Sequence, residues 1–293
     1  MPPFPGIVAH LIIGNKPEPY LEAALASVES VSDHLVVNDN SGESPGPHAS
    51  ALANCAFAAR GEITVVRSSF TDFAAARNVC IEATPPDLKQ AWTLFFDADE
   101  VHGDELTSIA ALLARLPSDV EAVEGYSRHF VGSFGWWRDI ARRLCFFRQS
   151  PGRRWSGAVH ERLLPPCKSI VVADVWHHYG HVTPPRREWE KGRLYHSLGQ
   201  TGFVATDEQL SAASPADVWG HIAADVMPFA GTYPESALPV IQQLSSLWAG
   251  TFAEVDELFS KHARGWRMRT WIREMNYGRL LAMRRLESHL RRR

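Results

Sequence analysis

The sequence predicts an α/β protein: a mostly parallel sheet flanked by helices, followed by a helical C-terminal extension. Three observations carry that reading. In the first hundred residues, short apolar runs alternate with stretches whose apolar residues recur at helical spacing. Two of those runs end in aspartates, Asp39 and Asp97, and ligands of open α/β sheets bind beyond the carboxyl ends of the strands. After Pro184-Pro185 the strand pattern gives way to helical spacing.

Taken in order, Ile7–Ile13 is a continuous apolar run closed by Gly14-Asn15 and Pro17, which reads as a buried strand. Tyr20, Leu21, Ala24, Leu25 and Val28 repeat as one helix face. His34–Val37 is a second strand, Ala51–Ala59 a helix, Ile63–Val66 a third strand and Phe73–Ala83 a third helix with Asp72 as its N-cap. Ala91–Phe96 is a fourth strand, delivering Asp97 at its end. Val120–Tyr126, Arg143–Phe147 and Ile170–Trp176 extend the sheet in mixed fashion, separated by Gly- and Trp-rich loops. Arg186–Leu198 is a helix, three more follow Ser214, Pro234 and Thr251, and Gly265–Leu290 is the last.

Composition narrows the function classes. A chain of 293 residues holds one large α/β domain, or a domain of about 200 residues and an appendage. The net charge of −3 gives no whole-chain argument for nucleic acid binding. The last thirty residues, Arg264 to Arg293, carry ten arginines against two glutamates, so the remainder is acidic. Four cysteines without a CxxC pair read as reduced thiols of a cytoplasmic protein. The N-terminal segment lacks the pattern of a secretory signal, and no apolar stretch is long enough to span a bilayer.

The chemistry concentrates in Asp97-Ala98-Asp99-Glu100, three carboxylates within four residues at a strand end. Residues i and i+2 of an extended chain project to one side. Two such charges repel unless a cation lies between them. Mg²⁺ or Mn²⁺ shared with a substrate diphosphate answers that need. A solvated turn before the helix that begins near Asp104 is the other reading.

The acidic loop does not stand alone. With Val36-Val37-Asn38-Asp39, the run Phe70-Thr71-Asp72-Phe73-Ala74-Ala75-Ala76-Arg77-Asn78, Arg143-Leu144, Arg154-Trp155-Ser156-Gly157-Ala158-Val159-His160-Glu161 and His178-Tyr179-Gly180, the chain resembles the family 2 glycosyltransferases of GT-A fold. The branch it looks most like contains the bacterial lipopolysaccharide-core glucosyltransferases, and some peptide glycosyltransferases look similar. The resemblance runs over about residues 7 to 195. With the helical spacing after Pro184-Pro185 giving a helical domain at 201–293, it implies a GT-A catalytic domain at 1–200. It also implies sugar transfer with inversion from a nucleotide-diphosphate sugar, a UDP-sugar foremost, to a saccharide, lipid-linked or peptide acceptor. By the same resemblance, Asn15, Asp39, Arg77 and Asp97 bind the donor: Asp39 faces the base, Arg77 the base or phosphates, and Asp97 the ribose or sugar. Asp99 ligates Mn²⁺ or Mg²⁺, and His178 approaches the metal or diphosphate. Many relatives carry Asn-Glu where this chain has Asn15-Lys16, with Glu18 two residues on, and an apolar residue where it has Asn38.

Other readings of single residues stay open. Asp39 caps a turn with Asn40 and Ser41, or Arg77 is a surface helix residue paired with an acid. Glu161 fits the general base that takes the acceptor proton, with Glu100 and Asp104 as alternatives; its other reading is an ion pair with Arg162 or Arg154. His177, His178 and His181 cluster after a strand, and neutral imidazole ligates metals well; the spacing also admits a zinc site with His160. Trp136, Trp137 and Trp155 either stack on sugar rings or fill the core. The Arg-rich last helix docks on the catalytic domain or in a homodimer, or lies on an anionic membrane surface. A nucleotidyltransferase acting on a sugar phosphate and a non-catalytic nucleotide-sugar-binding protein are the competing function classes.

Overall fold

The structure is a computed structural model that describes residues 6–202 and 204–263. The apolar run at the start forms β1 (Ile7–Ile13), followed by α1 (Leu21–Val28), β2 (His34–Asp39), α2 (Ala49–Asn54), α3 (Ala56–Arg60), β3 (Ile63–Arg67), α4 (Phe73–Ala83) and β4 (Trp92–Phe95). These four strands are mutually parallel in the order β3-β2-β1-β4. Helices cover both faces, so β1 buries nearly every side chain and reads as unbroken hydrophobicity rather than alternation. On one face, Leu21, Leu25 and Val28 of α1 pack with the strands; on the other, Cys80 of α4 meets Val8 and Val36.

Next come β5 (Glu100–Val101), α5 (Glu105–Leu113), β6 (Ala122–Val131), β7 (Ser133–Arg148), β8 (Arg154–Ser156), β9 (Arg162–Leu164) and β10 (Ser169–His181). The sheet continues β4-β7-β6-β10-β5, with β7 antiparallel to both neighbours and β10 parallel to β6. Strand β5 is thus four strand spacings from β4, roughly 19 Å on a flat sheet at about 4.8 Å each. Five residues from Phe95 to Glu100 reach at most about 17–18 Å when fully stretched. This segment is not stretched, because Glu100 N donates to Asp97 O at 3.0 Å. The sheet therefore curls, and the acidic loop closes the curl.

The rest is mainly helical: α6 (Pro185–Ser197), α7 (Asp207–Ser211), α8 (Pro215–Trp219), a short β11 (Met227–Pro228) on β7, α9 (Leu238–Leu247) and α10 (Ala249–His262). Residues of α8, α9 and α10 pack on Phe130, Val131, Phe134 and Trp137 of the long β6–β7 ribbon. The fold class is the one expected, α/β with helices on the sheet and C-terminal helices. No helix of the described residues is long and apolar enough to cross a membrane. The expected last helix, Gly265–Leu290, lies outside the described residues.

Two local expectations are corrected. Ala51–Ala59 is not one helix: Cys55 turns extended (φ −74°, ψ 159°), and Glu29 Oε1 accepts from Ala56 N at 3.0 Å to start the second helix. The Trp-rich segment is not a loop. Trp136 and Trp137 lie inside β7, and Trp155 inside β8. Glycine reads as punctuation, but Gly135 is within the strand and only Gly132, at φ +71°, makes the turn from β6 to β7.

Candidate active site

The carboxyl ends of β1, β2 and β4 carry Asn15, Asp39 and Asp97, and α4 carries the groups that organise them. Asp72 caps that helix, accepting from Ala75 N at 2.7 Å. Asn38 is fully buried and donates to Ala76 O at 2.9 Å, locking β2 to α4. Asn78 exchanges two hydrogen bonds with the backbone of Trp155, at 2.7 and 3.0 Å. Those bonds hold the segment bearing Glu161 against α4.

Arg77 projects from the same helix and is 5% exposed. It donates to Asp97 Oδ1 at 2.6 Å and to Glu161, with its guanidinium over the rings of Phe95 (4.8 Å) and Trp155 (5.6 Å). Arg143 from β7 reaches the other oxygen of Asp97 at 3.1 Å and Glu100 at 2.9 Å. Burial works to raise the Asp97 carboxyl, but the two guanidiniums prevail and hold it well below the usual range.

Asp99 has the opposite surroundings. Burial raises its carboxyl, Lys191 of α6 opposes that with Nζ 4.0 Å from Oδ2, and the charge of Asp97 adds to the rise. His178 Nε2 is 3.4 Å from Oδ1, an oxygen that is buried without a hydrogen-bond partner. Gly180 admits the carboxylate: a Cβ there would lie 2.4 Å from Asp99 Oδ2. Glu18, in the loop after β1, is pushed up to about 7, by burial first and by Asp99 next. Glu100 is also pushed up to about 7 by burial; it is 2% exposed and accepts from Trp176 Nε1 at 3.1 Å.

An orphaned buried oxygen beside an imidazole fits a divalent cation. Burial above all, with Lys191 and Arg143 among the charges that add to it, holds the His178 ring nitrogens well below their usual range, so the ring is neutral and able to ligate.

The structure therefore gathers Arg77, Asp97, Asp99, Glu161 and His178 around one acidic loop. Asp39, at the end of β2, takes the turn role: its Oδ1 accepts from Ser41 N at 2.9 Å, and Arg67 Nε is 3.6 Å from Oδ2. Asn15 is exposed in the loop after β1. Glu161 pairs with Arg77, not with Arg162 or Arg154. Likewise Arg77 is not a surface residue. Glu100 and Asp104 are poor bases for an acceptor: the first is enclosed in the sheet, and the second precedes α5 on the surface.

The expected His177–His178–His181 cluster is rearranged. His177 faces the opposite side of β10, with Nδ1 3.0 Å from the Tyr179 hydroxyl, and His129 of β6 takes its place. His160 is not part of the cluster. Trp137 and Trp155 are core residues, 2% and 5% exposed, and Trp136 packs edge-on against Phe259. Sequence reasoning assigned no role to Arg143, Lys191, Asn78 or His129. The α6 residues Glu188, Lys191 and Tyr195 recur every three to four positions, a polar stripe that reads as solvated until the helix is seen to lie on the site.

Residues 11–198 match the family model described as Glycosyl transferase family 2. No curated protein matches the chain. Among solved structures, it is similar to the mannosyltransferase PcManGT from Pyrobaculum calidifontis in complex with GDP-Man and Mn²⁺, at 16% identity over 89% of this chain and 89% of that one, with a TM-score of 0.43. It is also similar to TarS 1-349 of S. aureus, at 12% identity over 90% and 91%, with a TM-score of 0.41. The family match covers every residue gathered at the acidic loop, from Arg77 to His178, and extends over well over half of the sequence: the chain belongs to glycosyl transferase family 2.

Proposed function

We propose that this chain is a metal-dependent, inverting glycosyltransferase moving a sugar from a nucleotide-diphosphate sugar, a UDP-sugar foremost, to a hydroxyl of a saccharide, lipid-linked or peptide acceptor. The observation that carries the proposal is the division of labour between two neighbouring carboxylates. Asp97 is neutralised by two guanidiniums, whereas Asp99 keeps an unpartnered buried oxygen beside His178. Asp99 and His178 would hold the divalent ion, Mn²⁺ or Mg²⁺. When bound, the ion offsets charge on the departing diphosphate.

The remaining roles fall to the protein's own groups. Asp97, fixed in direction by Arg77 and Arg143, accepts from the ribose or sugar hydroxyls. Asp39 and Asn15, at the ends of β2 and β1, lie on the base side of the donor. Glu161 takes the acceptor proton as the acceptor oxygen attacks C1 and the bond from C1 to the diphosphate oxygen breaks, releasing the nucleoside diphosphate. Its pairing with Arg77 supports that placement, because the shared guanidinium fixes the carboxylate beside Asp97.

Incubating the chain with UDP-sugars and Mn²⁺ and following UDP release tests the reading. Asp99→Asn is expected to lower release by about 100-fold or more with unchanged circular dichroism. Turnover at the wild-type rate would remove Asp99 from the chemistry. Nucleotide binding without release from any donor would make the chain a binding protein.

A further inference from the structure

We propose that His129, His178 and His181 form a metal site of their own, with three imidazole donors, selective for an ion such as Zn²⁺ or Co²⁺ over Mg²⁺. It shares His178 with the reading above and rests on it only there.

The strands build the cluster. Parallel pairing of β10 with β6 sets His178 beside His129, with ring centroids 4.6 Å apart. Strict alternation would put His178 and His181, three residues apart, on opposite faces. The pairing shifts register between them, and the irregularity returns His181 to the face of His178. One ring nitrogen from each of the three lies within 4.8 Å of the others. Nitrogens around a tetrahedral ion with bonds of about 2.1 Å are roughly 3.4 Å apart, so modest ring rotation closes the set.

Two independent observations point to a ligand. His129 Nε2 and His178 Nδ1 are buried without a hydrogen-bond partner, a condition native interiors avoid. His181 also has a carboxylate against one ring nitrogen: Glu188 Oε1 is 2.7 Å from its Nδ1. A carboxylate on one nitrogen fixes the tautomer and orients the other toward a metal. Imidazole donors favour Zn²⁺ and its neighbours, whereas Mg²⁺ takes oxygen. Three protein donors retain an ion without substrate, unlike a carboxylate site that the diphosphate completes.

The test uses the full chain, stripped with chelator and free of nucleotide. Zn²⁺ is titrated by calorimetry, and Co²⁺ is followed by its visible ligand-field bands. One equivalent of each is expected to bind. The double variant His129→Ala/His181→Ala loses the Co²⁺ bands, Glu188→Gln, which keeps all three rings, weakens Zn²⁺ about 10- to 100-fold, and Asp99→Asn binds Zn²⁺ within a few-fold of wild type. Wild-type chain that binds neither ion overturns the proposal, as does a folded double variant that binds as wild type does. Loss of Zn²⁺ only in Asp99→Asn also overturns it, placing the ion on the acidic loop and leaving the transferase reading intact. If no UDP-sugar is turned over, the transferase reading fails while the Zn²⁺ titration stands.

Discussion

Asp97 and Asp99 are separated by one alanine, yet one is saturated with positive partners and the other is nearly bare. The difference originates in Arg77, a single buried guanidinium shared between the end of β4 and the segment carrying Glu161. Arg77→Leu strips Glu161 of its partner and leaves Asp97 only Arg143. Breaking a buried pair from one side costs about 3 kcal/mol or more, which a urea titration reads directly. A loss below about 1 kcal/mol would mean that the two acids find other cations. Gly180→Ala probes the other carboxylate. The added methyl would sit 2.4 Å from Asp99 Oδ2 and 2.8 Å from His178 Cε1. Displacing a site group by about 1 Å costs on the order of 100-fold in turnover, so UDP release should collapse while circular dichroism is retained. At this scale the sequence was informative where a motif compresses the chemistry into a few positions, as in the acidic loop and the run ending Arg77-Asn78. Lys191 and His129 had no such signal: each comes from a different element, and only three-dimensional folding sets Lys191 beside Asp99 and His129 beside His178.

Among the elements, the first four strands and α4 were legible because continuous apolar runs and an N-cap aspartate are local signals. Of the β6–β7 ribbon only the outer ends were legible, as the strands expected at Val120–Tyr126 and Arg143–Phe147; its middle was not. Its residues are amphipathic and rich in arginine and tryptophan, and the strands owe their length to the helices packed over them rather than to propensity. Gly132 is the hinge of that ribbon. At φ +71° it has a backbone that alanine adopts only under strain, and a Cβ would meet Val255 Cγ1 of α10 at 2.8 Å. Gly132→Ala is expected to cost about 1–3 kcal/mol, visible as a lower denaturation midpoint. A midpoint equal to wild type would show that the turn and α10 adjust freely.

For the molecule as a whole, buried titratable groups pull stability in two directions with pH. His10 and His102 are pushed down to about 3 by burial, from an ordinary 6.5. As pH falls from about 6.5 toward 3, the unfolded chain gains protons that the folded chain refuses, so stability is lost. Glu18 and Glu100, pushed up to about 7 from 4.5, act oppositely: the folded chain keeps protons that the unfolded chain releases, and stability falls as pH rises from about 4.5 to 7. The two trends offset between pH 4.5 and 6.5, and below pH 4.5 only the acid loss remains. Glu18→Gln removes one group of the second kind. Its stability should match wild type below pH 4.5 and exceed it progressively up to pH 8; parallel curves would deny the shift.

The global curl of the sheet was beyond the sequence, since it follows from a strand order that no local pattern encodes. It has a consequence for how this protein can change. The tetrapeptide from Phe96 to Asp99 is both the chemical lip of the cleft and the clasp of a hoop whose circumference is set by the intervening strands. The number of residues there is fixed by that circumference: adding or removing one would loosen or overtighten the hoop before it altered any chemistry.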